Sequence, residues 1–278
     1  LIAGLVACIV VIVLRKGKPV ADAGGGWVVA LALGVGCAAG AAWSSGSWRP
    51  GPSGTTWLPV MALVAGVAGL ARGEGERAGV VRSGVRVVAL GAVAWMTVRS
   101  IAGMSIAEQV VIMAGTALVG SAVCAGLERG VRLGAARTGG WPSASTGLVC
   151  AFAASQVLVI GMTVQTAAWV AAGMAAFFGV CLVVGVATHR PLVGRGALEA
   201  AAVLLCGLMV HGWRTGVATD LQAALFAALL LLASAGPVIA AQVLGERGKG
   251  WAGLAACAAP ALAAVALAVV VRPPPFDV

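Results

Sequence analysis

The chain is poor in charged side chains, and this shortage excludes an ordinary soluble domain. Asp, Glu, Lys and Arg make up 10% of its 278 residues, whereas about a quarter is usual in soluble proteins. Hydrophobic residues reach 61% and the mean hydropathy is +1.04. One soluble core cannot bury so much apolar side chain, so part of it must face a lipid bilayer. The composition therefore predicts an all-α, polytopic membrane protein.

The sequence also lacks the short motifs that mark common enzyme classes. It has no glycine-rich phosphate loop with its lysine, no H-E-x-x-H, no G-x-S-x-G and no paired Asp-rich motifs. Its two histidines, His189 and His211, fall at opposite sides of the membrane, which argues against a bis-histidine haem. The seven cysteines lie in apolar runs without a C-x-x-C pair. We expect no enzyme activity, no cofactor and no metal site.

What the sequence does contain is a series of about ten apolar stretches separated by short polar breaks. Runs such as ALFAALLLLASAGPVIAAQVL are apolar on every face, which is typical of helices, whereas the strands of membrane barrels alternate. The stretches cover residues 1–14, 27–43, 57–71, 83–98, 101–126, 145–161, 166–187, 197–212, 217–243 and 252–271. We expect about ten transmembrane helices in a single domain over residues 1–278.

The distribution of basic residues predicts an orientation. With the loops numbered in order, most Lys and Arg lie in odd-numbered loops, while the even-numbered loops hold Arg49, Arg99 and Arg214. The positive-inside rule then places the odd loops in the cytoplasm and both termini outside, in the cell (inner) membrane. The basic residues that give the chain its formal charge of +9 are spread singly over many loops. This distribution therefore indicates topology and contact with anionic lipids, and we expect no nucleic-acid partner.

Three polar segments resemble one another: LRKGKPVADAGGGW, LERGVRLGAARTGGW and LGERGKGW. These segments and other landmarks recur at about 113 residues. The spacing predicts parallel four-span repeats over residues 14–126 and 127–243, with a partial third copy at 244–278. Each segment is expected to end one helix at a glycine and to begin the next at a tryptophan. Two alternatives stay open: five plus five inverted spans, and chance similarity in a chain rich in Gly, Ala and Val.

Ionisable residues at membrane depth are costly, so they mark candidate functional positions. Arg86 and Glu199 lie just inside the cytoplasmic ends of their spans, at equivalent places in the repeat. We expect them either to form an ion pair or to extend separately to the membrane interface.

A second group of polar residues lies near the outer ends of the spans and forms a candidate substrate or ion pathway. Its members are Glu108, Gln109, His211, Asp220 and Gln222. A carboxylate there can bind a proton or cation, with His211 as a titratable neighbour. The alternative is that these residues stabilise helix ends, which is favoured for Asp220. Glu108 is the preferred coupling carboxylate because SIAEQVVIMAGTALVGSAV places it in an apolar run.

A C-terminal segment of about 35 residues resembles a known family of membrane proteins. PVIAAQVLGERGKGWAGLAACAAPALAAVAL resembles the end of a repeat in EamA-type drug/metabolite transporters. In that family a proline-bearing helix runs into L-G-E and then a last helix with an early glycine, matched here by Pro237, Gly245, Glu246 and Gly253. The resemblance implies transport of small metabolites. It also implies inverted five-span repeats and cytoplasmic termini, which differ from the orientation that the charges predict.

The loops are too short to hold a receptor, kinase or nucleotide-binding domain. We expect a secondary transporter of a small solute, with a cavity between the repeats and Glu108 as the coupling carboxylate. The alternative is a non-catalytic membrane subunit that scaffolds a larger complex, because transporters usually retain more buried ionisable residues than this chain has. The expected partners are the lipid bilayer, a small solute, and either a second copy in a homodimer or other membrane subunits.

Overall fold

In a computed structural model, the described residues are 26–46, 57–70, 76–99, 103–135, 144–160, 165–187, 193, 195–214, 218–243 and 251–270. Within these ranges the chain forms nine α-helices and no strand, which confirms the all-helical class. They are α1 (Gly26–Ser45), α2 (Leu58–Ala68), α3 (Glu76–Val98), α4 (Ile106–Ala135), α5 (Ala144–Ile160), α6 (Gln165–Ala187), α7 (Arg195–Arg214), α8 (Asp220–Val243) and α9 (Trp251–Val270). The first expected span, residues 1–14, lies outside the described residues.

Eight of these helices form a closed ring around α7. Successive neighbours in contact follow the order α1, α2, α3, α4, α8, α9, α5, α6 and again α1. Inside the ring, α7 packs against all of these helices except α9. In its most apolar segment 83% of the residues are buried, against 33% in that of α3. The central helix α7 therefore positions residues that face several neighbours at once.

The sequence of α7 suits this central place because, apart from Glu199, its middle part is apolar on all sides. Every residue from Ala197 to Leu208 is buried, and most are Ala, Leu or Val. A helix that is hydrophobic all round is expected where every face meets protein. At Gly207 a Cβ atom would lie 2.4 Å from Cγ1 of Val93 and 2.8 Å from Cε of Met61. Small residues therefore let α2 and α3 approach α7 closely.

Glycines also set two close helix contacts in the ring. In the contact between α1 and α2, a Cβ atom on Gly34 would lie 2.8 Å from both the carbonyl oxygen of Ala62 and the Cα of Gly66. In the contact between α4 and α8, a Cβ atom on Gly126 would lie 2.7 Å from the carbonyl oxygen of Ser234. Such approaches give apolar helices extensive van der Waals contact. The second contact holds α4 and α8 together at one end.

The outer surface of the ring and the helix lengths are compatible with a membrane protein. Large hydrophobic side chains face outward, including Val88, Leu118 and Leu232, which are 71%, 76% and 55% exposed. Four described helices contain segments long and apolar enough to cross a membrane. Those segments are Gly79–Val98, Ile106–Arg129, Thr166–Val184 and Gly196–Arg214. The other apolar helices are shorter, and α2 has 11 residues, so about ten full spans stay a prediction.

The expected end of one span is wrong, because the helix before LERGVRLGAARTGGW continues into this segment. The expected span stopped at residue 126, but α4 continues through Gly130 to Ala135 and has 30 residues. Leu, Glu, Arg and Ala favour helix strongly enough to carry the chain past Gly130 and Gly134. Leu127 is also buried at 2% exposure, and Glu128 contacts α3, so packing extends the helix.

The internal repeat is not confirmed. It equates α3 with α7, yet α3 lies in the ring and α7 lies inside it. Two of the three similar segments, at residues 14–25 and 244–250, lie outside the described residues. So do Gly245 and Glu246 of the family resemblance, whereas Pro237 lies within α8 and Gly253 within α9.

Candidate functional site

An ion-pair network joins α3, α4 and α7 near one end of the bundle. Arg86 on α3 donates to Glu199 on α7 at 2.5 Å and lies 3.5 Å from Glu128 on α4. Arg82 on α3 donates to Glu128 at 3.0 Å. The side chains of Arg86 and Glu199 are 9% and 6% exposed. The structure thus brings Arg86 and Glu199 together. Glu128 and Arg82 add one negative and one positive charge, so the charges of the network balance.

The helix directions explain why these four residues meet. α3 and α7 begin at Glu76 and Arg195, and α4 ends at Ala135, so antiparallel packing places these termini at the same end. The sequence does not predict Glu128 as a member, because it follows the expected end of its span at residue 126. A signal was present: Glu128 follows Cys124 by four residues and so continues the buried stripe of α4.

Two of the expected pathway residues, Glu108 and Gln222, form hydrogen bonds at the N-termini of helices. The carboxylate of Glu108 accepts from the backbone N–H and the hydroxyl of Ser105, each at 2.9 Å, and the Glu108 N–H donates to the Ser105 hydroxyl at 3.2 Å. Gln222 repeats this with Thr219, at 2.8 and 3.3 Å. Both are capping boxes, in which each side chain satisfies a free N–H of the other residue. Glu108 and Gln222 thus have a structural role at the starts of α4 and α8.

Gln109 and His211 lie at the same end of the bundle in different surroundings. The Gln109 side-chain amide lies 3.4 Å from the carbonyl oxygen of Met104 and is half-buried. His211 lies in the last turn of α7 and is 1% exposed. Neither side chain lines the cavity described next.

A groove of about 310 Å³ lies between α4, α7 and α8 at the end opposite the ion-pair network. Each helix contributes one face, with positions three or four residues apart. The lining residues are Val111, Ile112, Gly115, Thr116 and Val119 of α4; Cys206, Met209, Val210 and Trp213 of α7; and Asp220, Ala223, Ala224 and Ala227 of α8. Small residues on α4 and α8 leave the space. Of the expected pathway residues, Asp220 is the one that the structure places in this lining.

The polar groups of the groove are concentrated at its mouth. The indole N–H of Trp213 donates to Oδ1 of Asp220 at 2.6 Å, which joins the end of α7 to the start of α8. The guanidinium carbon of Arg214 lies 4.2 Å from the centre of the Trp213 ring, within cation–π range. Deeper in the groove, the Thr116 hydroxyl donates to the carbonyl oxygen of Ile112 at 2.7 Å. The interior is thus apolar and the mouth carries a carboxylate.

Aromatic residues gather at the same end as the mouth. Arg99 lies 4.9 Å from the ring centre of Trp57 and 4.6 Å from that of Trp95, and the two rings meet edge to face at 6.4 Å. Trp43 and Trp169, near the ends of α1 and α6, are 92% and 57% exposed. Tryptophans in such a layer are typical of the boundary between hydrocarbon and headgroups.

In the part of the chain that the structure describes, no group of three or more His, Cys, Asp or Glu side chains could hold a metal ion. Comparison of the chain with protein-family models, with curated proteins and with solved structures finds no match. The assignment of a function therefore depends on the groove and the ion-pair network.

Proposed function

We propose that this protein is a secondary transporter of a small solute, which binds in the groove between α4, α7 and α8. The supporting observation is that the groove and the ion-pair network share α4 and α7 and lie toward opposite ends of these two helices. Along α7, Cys206 of the groove lining is separated from Glu199 of the network by seven residues, or about 10 Å. In this proposal the groove is the open end of the solute path, and the ion-pair network closes the other end.

A transporter needs two arrangements of nearly equal free energy. The network supplies contacts that can be exchanged, because Arg86 reaches acids on two different helices, Glu199 on α7 and Glu128 on α4. Releasing these contacts would let α4 move away from α3 and α7 at that end. The tight contact of Gly126 with Ser234 supplies a point about which α4 and α8 can tilt.

The orientation that we propose follows from the loop charges. The ion-pair network faces the cytoplasm, and the groove opens to the outside. This corresponds to a multi-pass protein of the inner membrane with odd loops in the cytoplasm and both termini outside. The tryptophans near the mouth support this placement because they fit an outer interfacial belt.

Asp220 replaces Glu108 as the carboxylate that we assign to solute or ion binding. Asp220 lines the groove, whereas Glu108 is exposed and caps α4 through Ser105. Gln222 likewise serves a capping box. We give Gln109 and His211 no direct contact with the solute because neither lines the groove.

The alternative function is a non-catalytic subunit that scaffolds a larger membrane complex. One observation favours it: the Arg and Glu side chains inside the bundle compensate one another. Compensated charges fit a static structural role as well as a gate. The outward hydrophobic faces of the ring would then contact other subunits as well as lipid.

Purification and reconstitution separate the two functions. Proteoliposomes are tested for saturable uptake of a radiolabelled quaternary ammonium, amino acid, monocarboxylate and hexose, each with and without a pH gradient. A transporter gives gradient-dependent uptake of at least one class, which Gly115→Leu removes by filling the groove. The matched control Gly84→Leu keeps uptake, because an added Cβ at either glycine meets open space and Gly84 is not in the groove lining. Absence of uptake, together with stable co-purifying subunits, would favour the scaffold.

A further inference from the structure

Besides its mouth at the Asp220 end, the groove is also open sideways from the bundle. α4 and α8 are neighbours in the ring, so the gap between them faces outward, with α7 behind it. They meet tightly at Gly126 and Ser234 but stand apart where the groove lies. Val111, which lines the groove, is 70% exposed, so this wall of the groove reaches the outer surface of the ring. An apolar solute dissolved in the bilayer can reach this groove without crossing an aqueous passage.

The lining residues favour a ligand that combines two properties, an apolar part and a charged group. Most lining side chains are aliphatic, and Asp220 is the charged one among the described residues that form the groove. One oxygen of Asp220 accepts the Trp213 N–H, and a carboxylate has further acceptor capacity on its second oxygen. Trp213 also lines the groove; Arg214 stacks on its ring at 4.2 Å, so the attraction for a cation has to come from the free oxygen of Asp220. A carboxylate at the mouth of an apolar groove favours a ligand with a cationic group.

We propose that the groove binds an amphiphilic organic cation that enters from the lipid, with its apolar part between α4 and α8 and its cationic group at Asp220. The cavity of about 310 Å³ lies at the lower end of the range for small-ligand pockets, about 300–1,000 Å³. This inference rests on the transporter proposal for the same groove and names its substrate class.

Three probes with the same alkyl chain test the substrate class. Purified protein in lipid nanodiscs is titrated with radiolabelled hexyltrimethylammonium, and hexanol and hexanoate are the neutral and anionic comparisons. The cation binds most tightly and hexanoate most weakly if Asp220 holds the charged group. Asp220→Asn, which keeps an acceptor for Trp213, weakens binding of the cation by about ten-fold and leaves hexanol unchanged. Asp220→Glu restores part of the preference for the cation.

Two matched variants locate the binding site. Gly115→Leu removes binding of both hexyltrimethylammonium and hexanol, because its side chain occupies the groove. Gly84→Leu on α3 and Glu108→Gln at the capped end of α4 leave both affinities unchanged. Equal affinity for hexanoate and the cation, or full cation binding in Asp220→Asn or Gly115→Leu, overturns the inference.

Failure of this inference is distinguishable from failure of the transporter proposal. If proteoliposomes take up another solute class while hexyltrimethylammonium does not bind, transport stands and the substrate class is wrong. If the cation binds with the expected dependence on Asp220 but no solute is taken up, the binding site stands and transport is wrong.

Discussion

Arg86 on α3 and Glu199 on α7 are 113 residues apart in the chain and form a buried ion pair inside the bundle. Glu128 on α4 extends this pair toward Arg82, whose side chain is 17% exposed. The pair joins the central helix to the ring, so it is the place where the packing of α7 is most sensitive to the loss of one charge.

We expect Glu199→Ala to lower the free energy of unfolding by about 3 kcal/mol, because Arg86 then keeps a buried charge with a weaker partner. Arg82→Ala, at the more exposed end of the network, costs about 1 kcal/mol or less. Unfolding in mixed detergent micelles measures both variants. The double variant Arg86→Met, Glu199→Leu should recover much of the loss, since neither charge is left alone. Equal losses in Glu199→Ala and Arg82→Ala would contradict this account of the network.

The contact between α1 and α2 depends on the absence of a side chain at Gly34. Gly34→Ala places a methyl group 2.8 Å from the Cα of Gly66, so the two helices must separate, at a cost of about 1–3 kcal/mol. Thermal unfolding in detergent should show a clear decrease in Tm. Gly40→Ala on the same helix is the matched control, because its added methyl meets open space and alanine favours helix over glycine. A Gly40→Ala protein that is less stable than Gly34→Ala would argue against this close packing.

The capping boxes predict different results for two substitutions of Glu108. Glu108→Gln keeps the acceptor oxygen for the Ser105 N–H, so amide hydrogen exchange in the first turn of α4 and solute uptake both stay unchanged. Glu108→Ala removes that acceptor and speeds exchange in this turn. At the equivalent box of α8, Thr219→Ala costs about 1 kcal/mol, whereas Thr219→Ser keeps the cap. Loss of uptake in Glu108→Gln with an intact first turn would return the coupling role to Glu108.

The all-helical class and several helix positions follow from the sequence, because uniformly apolar runs with short polar breaks leave few other structures. The pairing of Arg86 with Glu199 was also among the expected outcomes, since both residues stand at the same end of their spans. The helix order in the ring could not be predicted. Almost every helix is rich in Ala, Val and Leu, so periodicity does not distinguish the central α7 from its neighbours.

The groove could not be predicted from the sequence, for a related reason. Its lining is mostly Ala, Val and other common residues, and its space is left by small side chains on α4 and α8, which are found all along this chain. The apolar run around Glu108 favours a pathway role for it, yet S-x-x-E is also the pattern of a capping box. Asp220 was regarded as a helix-end charge, and it is one, but the groove mouth lies beside the start of α8.

The central claim is that the groove opens alternately to the two sides of the membrane, and side-specific labelling tests it most directly. Gly115→Cys is placed in a background whose seven native cysteines are replaced by alanine, and membrane-impermeant thiol reagents are applied to right-side-out and inside-out vesicles. The account predicts labelling from the side of Asp220, and new labelling from the opposite side when Glu199→Gln weakens the ion-pair network. Labelling from the Asp220 side alone, with the network intact or weakened, would contradict it.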